Sequence, residues 1–370
     1  MQYIKFWRHL RLSRAAIISP VIDLLCIGGG SLLVMGLILS VLLWCYATGS
    51  YARGSIDFID LFILQTLINW PHFVVSYKLL YGRKENLSTY PMATLYVPAG
   101  LLLICLAALF YEVSDQAPEF TVNQQMAYYF WLVAALYLAW HYTGQAWGMV
   151  ATFAHLSGLK LLARERCWLR GSLHTLIFWH VIWGASDMPK YGLIRFLQTD
   201  EMMTFANTVA VMAFVSGLYT FAGIIKRHGA IDARVFVPWL AVFVWYLVLF
   251  LEPGAYMFVQ LSHALQYLIF PARVELNRLQ EKQPEKQSLD FTAVLMSKIL
   301  AYYLVIVAVG LMIFYLPDLL IGNTGGLMTI GGMLALAVNI HHYYTDSAIW
   351  KLRDKTVRQQ LFSHLPGAVK

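Results

Sequence analysis

The residues in this sequence best equipped for chemistry are its histidines. His72, His141, His180, His263 and the adjacent pair His341 and His342 fall in five different hydrophobic segments. His72 lies about nine residues from the end of its segment, His180 about nine from the start of its own, His263 about eight from an end, and His341 and His342 about six or seven. At 1.5 Å per residue of helix these positions form a layer roughly 9 to 14 Å below one surface. His141 lies deeper, and joins the layer if its helix ends before His155 and the stretch from Gly148 to Leu159 runs along the interface instead. Ionisable side chains inside a bilayer are costly and commonly line a site. A layer of imidazoles converging from separate helices suits a buried metal or haem centre.

The local contexts read NWPHF at 69–73, WHYTGQAWG at 140–148, HTLIFWH at 174–180, SHALQY at 262–267 and NIHHYYTDSAIWKLRD at 339–354. Asn69 stands one turn from His72, Gln145 from His141, Gln266 from His263 and Asp346 from His342, so each pair shares a helix face. Metal-bound imidazoles commonly hand their second N–H to such an amide or carboxylate. These four residues are therefore the expected second layer around the ligands. Asp346 is the strongest carboxylate candidate, with Asp23 behind it. His341 and His342 are about 100° apart on a helix, so they face different directions. His174 is expected at the interface, and His9, His155, His228 and His364 in solvent beyond it. Trp70, Trp140, Trp147 and Trp179 flank the histidines and can wall a lipophilic pocket. Without a metal, the same histidines would serve as interhelical hydrogen-bonding groups or line a proton or substrate pathway.

The elements that must position these residues are membrane helices. Hydrophobic residues make up 59% of the 370, charged residues 13%, and the mean hydropathy is +0.60, which excludes an ordinary soluble domain. Apolar stretches of about 20 residues recur along the chain, the length that crosses a hydrocarbon core. The expected fold is an all-α polytopic helix bundle of about ten transmembrane helices, one integral-membrane domain over 1–370. The spans are placed at about 17–47, 57–81, 90–112, 126–157, 171–189, 204–226, 235–251, 255–271, 293–317 and 324–348. The sequence Glu252-Pro253-Gly254 reads as a tight hairpin between the seventh and eighth spans, with one broken helix as the other option. With the N-terminus inside, only Arg53, Lys190 and Arg195 of the 27 Lys and Arg residues fall on the outer side. The positive-inside rule then puts both termini in the cytoplasm, with 349–370 as a short basic tail. The net charge of +7 is explained by topology and calls for no nucleic acid. The basic inner face favours anionic membrane lipids as partners.

Cys26, Cys45, Cys105 and Cys167 show no CxxC spacing, so neither a zinc knuckle nor a disulfide framework is expected. Gly28 to Gly30 read as close-packing sites between helices. No cleavable signal peptide is expected, because the first span is too long. Imidazoles with at most one carboxylate suit iron, copper or zinc. Zinc hydrolysis would call for a motif such as HExxH, which is lacking, so mono- or dinuclear non-haem iron is preferred.

At these residues the chain resembles two groups of proteins. The NxHHYxxDxxIWK ending and the HYxxQxxG of a middle span look like patterns in uncharacterised bacterial polytopic membrane proteins, which implies a bacterial inner membrane. Histidines gathered toward the cytosolic side of several spans resemble the integral-membrane non-haem iron enzymes, namely fatty-acid desaturases and hydroxylases and the Brp/Blh-type carotenoid-cleaving dioxygenases. The resemblance covers motifs, since the HxxxH and HxxHH boxes of the desaturases are absent. It implies O₂-dependent oxidation of a lipophilic substrate such as an acyl lipid or isoprenoid, fed by a cytosolic electron donor. A haem-binding electron carrier and a transporter with a histidine-lined pathway are the alternatives.

Overall fold

The computed structural model describes residues 9–50, 63, 65–113, 118–186, 192–282, 289–315, 330–352 and 354–365. Its long helices, in chain order, are α1 (Pro20–Ala47), α2 (65–81), α3 (Met92–Ala108), α4 (Gln124–Leu156), α5 (Ala163–Ser186) and α6 (Asp200–His228). They continue with α7 (Ala233–Leu251), α8 (Tyr256–Lys282), α9 (Leu289–Phe314), α10 (Ile330–Ile349) and a short tail helix α11 (Lys355–Phe362). Side-chain caps start several of them: Ser19 accepts from Ile22 N, Asn123 from Met126 N, Thr199 from Met202 N and Asp354 from Thr356 N. Two small strand pairs accompany the helices. β1 (Leu10–Arg11) runs parallel to β4 (Ile231–Asp232), and β2 (Leu109–Val113) pairs antiparallel with β3 (Pro118–Val122). The third expected span therefore ends as helix at Ala108, four residues early, because the chain turns extended at Leu109 to enter that hairpin.

Three helices open irregularly, each for a readable reason. In α2 the π turn Gln65–Asn69 precedes Pro71, whose ring cannot coexist with a regular bond to the carbonyl four residues back. That carbonyl, of Leu67, is taken by the Tyr303 hydroxyl of α9. In α3 the π turn Met92–Tyr96 precedes Pro98, and the corresponding carbonyl of Thr94 accepts from Tyr81 Oη at 3.2 Å. In α1 the π turn Leu25–Gly29 contains Gly28 at φ 154°, a conformation that a side chain would strain. A Cβ there would also lie 2.9 Å from the Ala241 methyl of α7.

The long α4 lies at the heart of the packing, against α5, α7 and α10, while α10 also packs on α2 and α3, and α9 on α2. The largest apolar core joins α1, α4, α5, α6 and α7 around Trp239 and Trp245, and α11 closes it with Leu361 and Phe362. Gly217 is required there, since a Cβ would sit 2.1 Å from the Trp239 ring. A second core joins α3, α4 and α10, and a third joins α2, α8 and α9.

Among the described residues three helices are long and apolar enough to cross a membrane, α1, α6 and α7. α3 and the stretch Leu300–Met312 of α9 are shorter apolar helices. Large apolar side chains such as Leu33, Leu103, Val215 and Leu304 are exposed on α1, α3, α6 and α9, as a lipid-facing surface would have them. Two expectations are corrected. α4 continues unbroken to Leu156, so no interfacial extension starts near Gly148. The turn after α7 is a 3₁₀ turn, Pro253–Ala255, but α7 and α8 form no tight hairpin, because the Leu25–Gly29 turn packs against both. Residues 57–62, 64, 187–189, 316–317 and 324–329 of the expected spans lie outside the described residues.

Candidate metal centre

Four helices bring polar side chains to one buried point. His72 follows Pro71 in α2, just past the π turn; His141 lies mid-way along α4; His263 is in the second turn of α8; His342 and Asp346 are four residues apart on α10. His72, His141, His342 and Asp346 each offer one ligand atom, and these atoms all lie within 4.8 Å of one another. His72 Nε2 and His342 Nε2 are 2.9 Å apart. Asp346 Oδ2 is 3.5 Å from His342 Nε2 and 3.7 Å from His141 Nε2. The His263 ring sits beside them, its centroid 4.7 Å from that of His141 and 5.0 Å from that of His72. All five residues are buried, none more than 5% exposed. A buried group of three histidines and one aspartate can hold a metal ion.

What distinguishes this group is how little the protein does to satisfy it. His72 Nδ1, His141 Nε2, both nitrogens of His263, His342 Nδ1 and both oxygens of Asp346 are buried without a hydrogen-bond partner. Buried polar atoms in native proteins are nearly all paired, and those that are not call for an explanation. A carboxylate away from water is costlier still unless a cation meets it. A divalent ion bound by the Nε2 atoms of His72, His141 and His342 would meet the unpartnered His141 nitrogen and the Asp346 carboxylate, while the Nδ1 atoms of His72 and His342 lie across their rings from it.

Aromatic rings wall the group: Phe73 lies 4.3 Å from His342, Tyr142 4.3 Å from His263, Tyr267 4.5 Å from His72, and Tyr343 stacks on His141 at 4.8 Å, all between centroids. The Tyr267 hydroxyl accepts from Ser76 Oγ at 2.7 Å and from Trp350 Nε1 at 3.0 Å. With its acceptor positions so used, its own proton is free to turn toward the neighbouring Asp346. Gln145 and Gln266 hold the backbone rather than the imidazoles. Gln266 Nε2 donates to the Ile27 carbonyl at 2.7 Å, an oxygen within the π turn of α1, and its Oε1 accepts from Gln145 Nε2 at 3.3 Å. Gln145 Nε2 also donates to the His263 carbonyl at 3.1 Å, so the α1 turn, α8 and α4 are tied together beside the site.

The remaining expected site residues lie elsewhere. His180 lies on α5 against Trp183 of the same helix and Tyr246 of α7, each 5.6 Å from its ring, and among the described residues no contact joins it to the converging histidines. His341 turns toward α3, its Nε2 2.7 Å from the Ala93 carbonyl and its ring stacked on Tyr77. Asn69 belongs to the π turn, and the altered helical phase there gives it no hydrogen bond to His72. Asp23 is buried far from the histidines, accepting from the backbone N–H groups of Ile17 and Ile18 and paired with Arg234. His155 and His228 are exposed, whereas His364 and His9 are tied to the carbonyls of Ala16 and Gly229. Sequence reasoning did not single out Ser76 and Tyr267. A signal was present, for each is four residues beyond a site histidine, His72 and His263 respectively.

A cavity of about 250 Å³ reaches this group between α4, α5, α8 and α10. Its lining includes the buried His141 and Asp346, the rings of Trp140, Trp147, Phe270 and Trp350, the half-buried His174 and the exposed Arg170. No protein-family model, curated protein or solved structure matches the chain.

Proposed function

We propose that the chain is a polytopic membrane protein of about ten spans whose His72, His141, His342 and Asp346, with His263 alongside, hold a redox-active transition metal, and that it oxidises a lipophilic substrate. The single observation that carries this reading is the collection of unpartnered polar atoms around Asp346 within a wall of aromatic rings. Both termini would be cytoplasmic, in a bacterial inner membrane, with a cytosolic electron donor reaching the basic face. Iron is the preferred ion. Imidazoles and one carboxylate are the donor set of non-haem iron sites that activate O₂.

The chain's own residues supply the rest. Asp346 brings negative charge to the ion, the Tyr267 hydroxyl stands ready to share a proton with that carboxylate, and the aromatic walls keep water from the reacting bond. The test is optical. Purified protein reduced with dithionite should change its absorption spectrum on exposure to O₂, and an Asp346→Asn variant should lose that change. A spectrum indifferent to reductant and O₂ in metal-loaded protein would overturn the oxidase reading.

A further inference from the structure

The 250 Å³ cavity is lined by two chemically different groups, and the difference identifies what fits it. His141 and Asp346 are buried. Arg170 of α5 is exposed, and its side-chain partner among the described residues is His174, with Nε 3.4 Å from its Nε2. No carboxylate of the described residues meets this guanidinium, although Arg227 and Arg278 elsewhere on the same face each have a glutamate. Much of the remaining lining is apolar and aromatic.

The floor of the cavity is made by glycine. Gly144 and Gly148 are four residues apart, hence on one face of α4, and both line the space. A Cβ added at either would meet nothing within 4 Å, so neither is there to let another helix approach. Their missing side chains are what keeps the slot open. Trp140 and Gly144 are exposed, so the slot also opens on the outside of the bundle at the depth of the site.

We infer that the slot binds a single-chain amphiphile with an anionic head, a carboxylate or a phosphate, held by Arg170 and His174 at the inner interface. Its hydrocarbon chain lies over Gly144 and Gly148 and ends beside His141 and Asp346. A guanidinium prefers the planar or tetrahedral oxyanion to a neutral hydroxyl. This inference rests on the proposed oxidation of a lipophilic substrate and names the class that the site would take.

The test uses the full chain in a micelle of an uncharged maltoside, with its elemental metal content measured in the same samples. A dibrominated stearate quenches tryptophan where its chain touches the ring, so saturable quenching reports occupancy of a slot walled by Trp140, Trp147 and Trp350. The dibrominated alkyl phosphate and alcohol of the same chain length serve as the other two probes. The stearate or the phosphate should bind at least about tenfold more tightly than the alcohol, the factor carried by a charge-assisted hydrogen bond, and whichever is tighter identifies the head. Arg170→Gln should remove that preference while leaving alcohol binding unchanged. Gly148→Leu, which replaces glycine by a better helix former, should abolish saturable quenching by all three, with Gly144→Leu as the second variant. Equal affinity for acid, phosphate and alcohol, or undiminished quenching in both leucine variants, would overturn the inference. Head-selective binding to metal-free protein would support it while counting against the metal centre. Metal-bound protein with no head selectivity would sink the inference alone.

Discussion

Two of the places where the protein buries charge are treated in opposite ways. Near the start of α7, Arg234 is 0% exposed and faces two carboxylates, Asp23 at 3.2 Å and Asp232 at 2.7 Å. Nothing there is left over. Asp23 also accepts from Ile17 N and Ile18 N, Asp232 from Ser13 N and Arg234 N, and the guanidinium donates on to the carbonyl and hydroxyl of Ser13. At the converging histidines, by contrast, both oxygens of Asp346 and at least one nitrogen of each imidazole lack a partner. The same chain that satisfies one pair of buried carboxylates completely gives Asp346, among the described residues, no Lys or Arg, only the hydroxyls of Ser76 and Tyr267 beside it. A network that saturates itself is architecture, here fastening residues 10–18 to α7. One that does not is made for something the chain does not supply.

The largest difference should appear on breaking each network. Arg234→Met leaves two buried carboxylates unpaired and should cost about 3–5 kcal/mol, read as a large fall in thermal unfolding temperature in detergent. In metal-stripped protein Asp346→Leu should cost little or even stabilise, because it removes a buried polar group that no Lys or Arg meets. If both changes were equally damaging, the contrast between the two regions would be lost. Next in size is Gln266→Leu, which orphans the Ile27 carbonyl in the α1 turn and should cost about 1–3 kcal/mol. It should loosen the alignment of α8 and weaken metal binding without removing any ligand.

The smallest effect is on acid stability. Asp232 lies ahead of α7, outside the spans. Burial pushes its carboxyl up, but hydrogen bonds from Arg234 and Ser13 outweigh that and hold it below the usual carboxylate range. A carboxyl whose folded value is depressed contributes stability that is fully present above its ordinary value and is lost as pH falls through the folded one. Hydrogen exchange of residues 10–18 should therefore accelerate in acid below the ordinary aspartate range, and Asp232→Asn should flatten that dependence. An unchanged profile in the variant would assign the acid sensitivity to other groups.

Much of this was written in the sequence, but only along one coordinate. Apolar length located the long helices, and looking for histidines in separate apolar segments picked out His72, His141 and His342, although the count for His263 assumed an end at 271 and α8 runs on to Lys282. Depth says nothing of direction. Which way a helix is turned is fixed by its neighbours, so His180, counted into the same layer, faces Trp183 and Tyr246, and His341 faces α3 while the next residue faces the site. Spacing worked where the helix was regular, as from His342 to Asp346. It failed at Asn69, where Pro71 forces a π turn and shifts the phase. The glutamines were found by the same spacing, but they bind the backbone, because the kink at Gly28 exposes a carbonyl that no pattern in the sequence announces.

The central claim is that His72, His141, His342 and Asp346 form a metal site, and elemental analysis of the purified full chain tests it most directly. The wild-type protein and a His228→Ala control should carry stoichiometric transition metal, while His72→Ala combined with His342→Ala should carry none and still elute as folded protein. A metal-free wild type after growth in metal-supplemented medium, or full metal retention in the double variant, would contradict it.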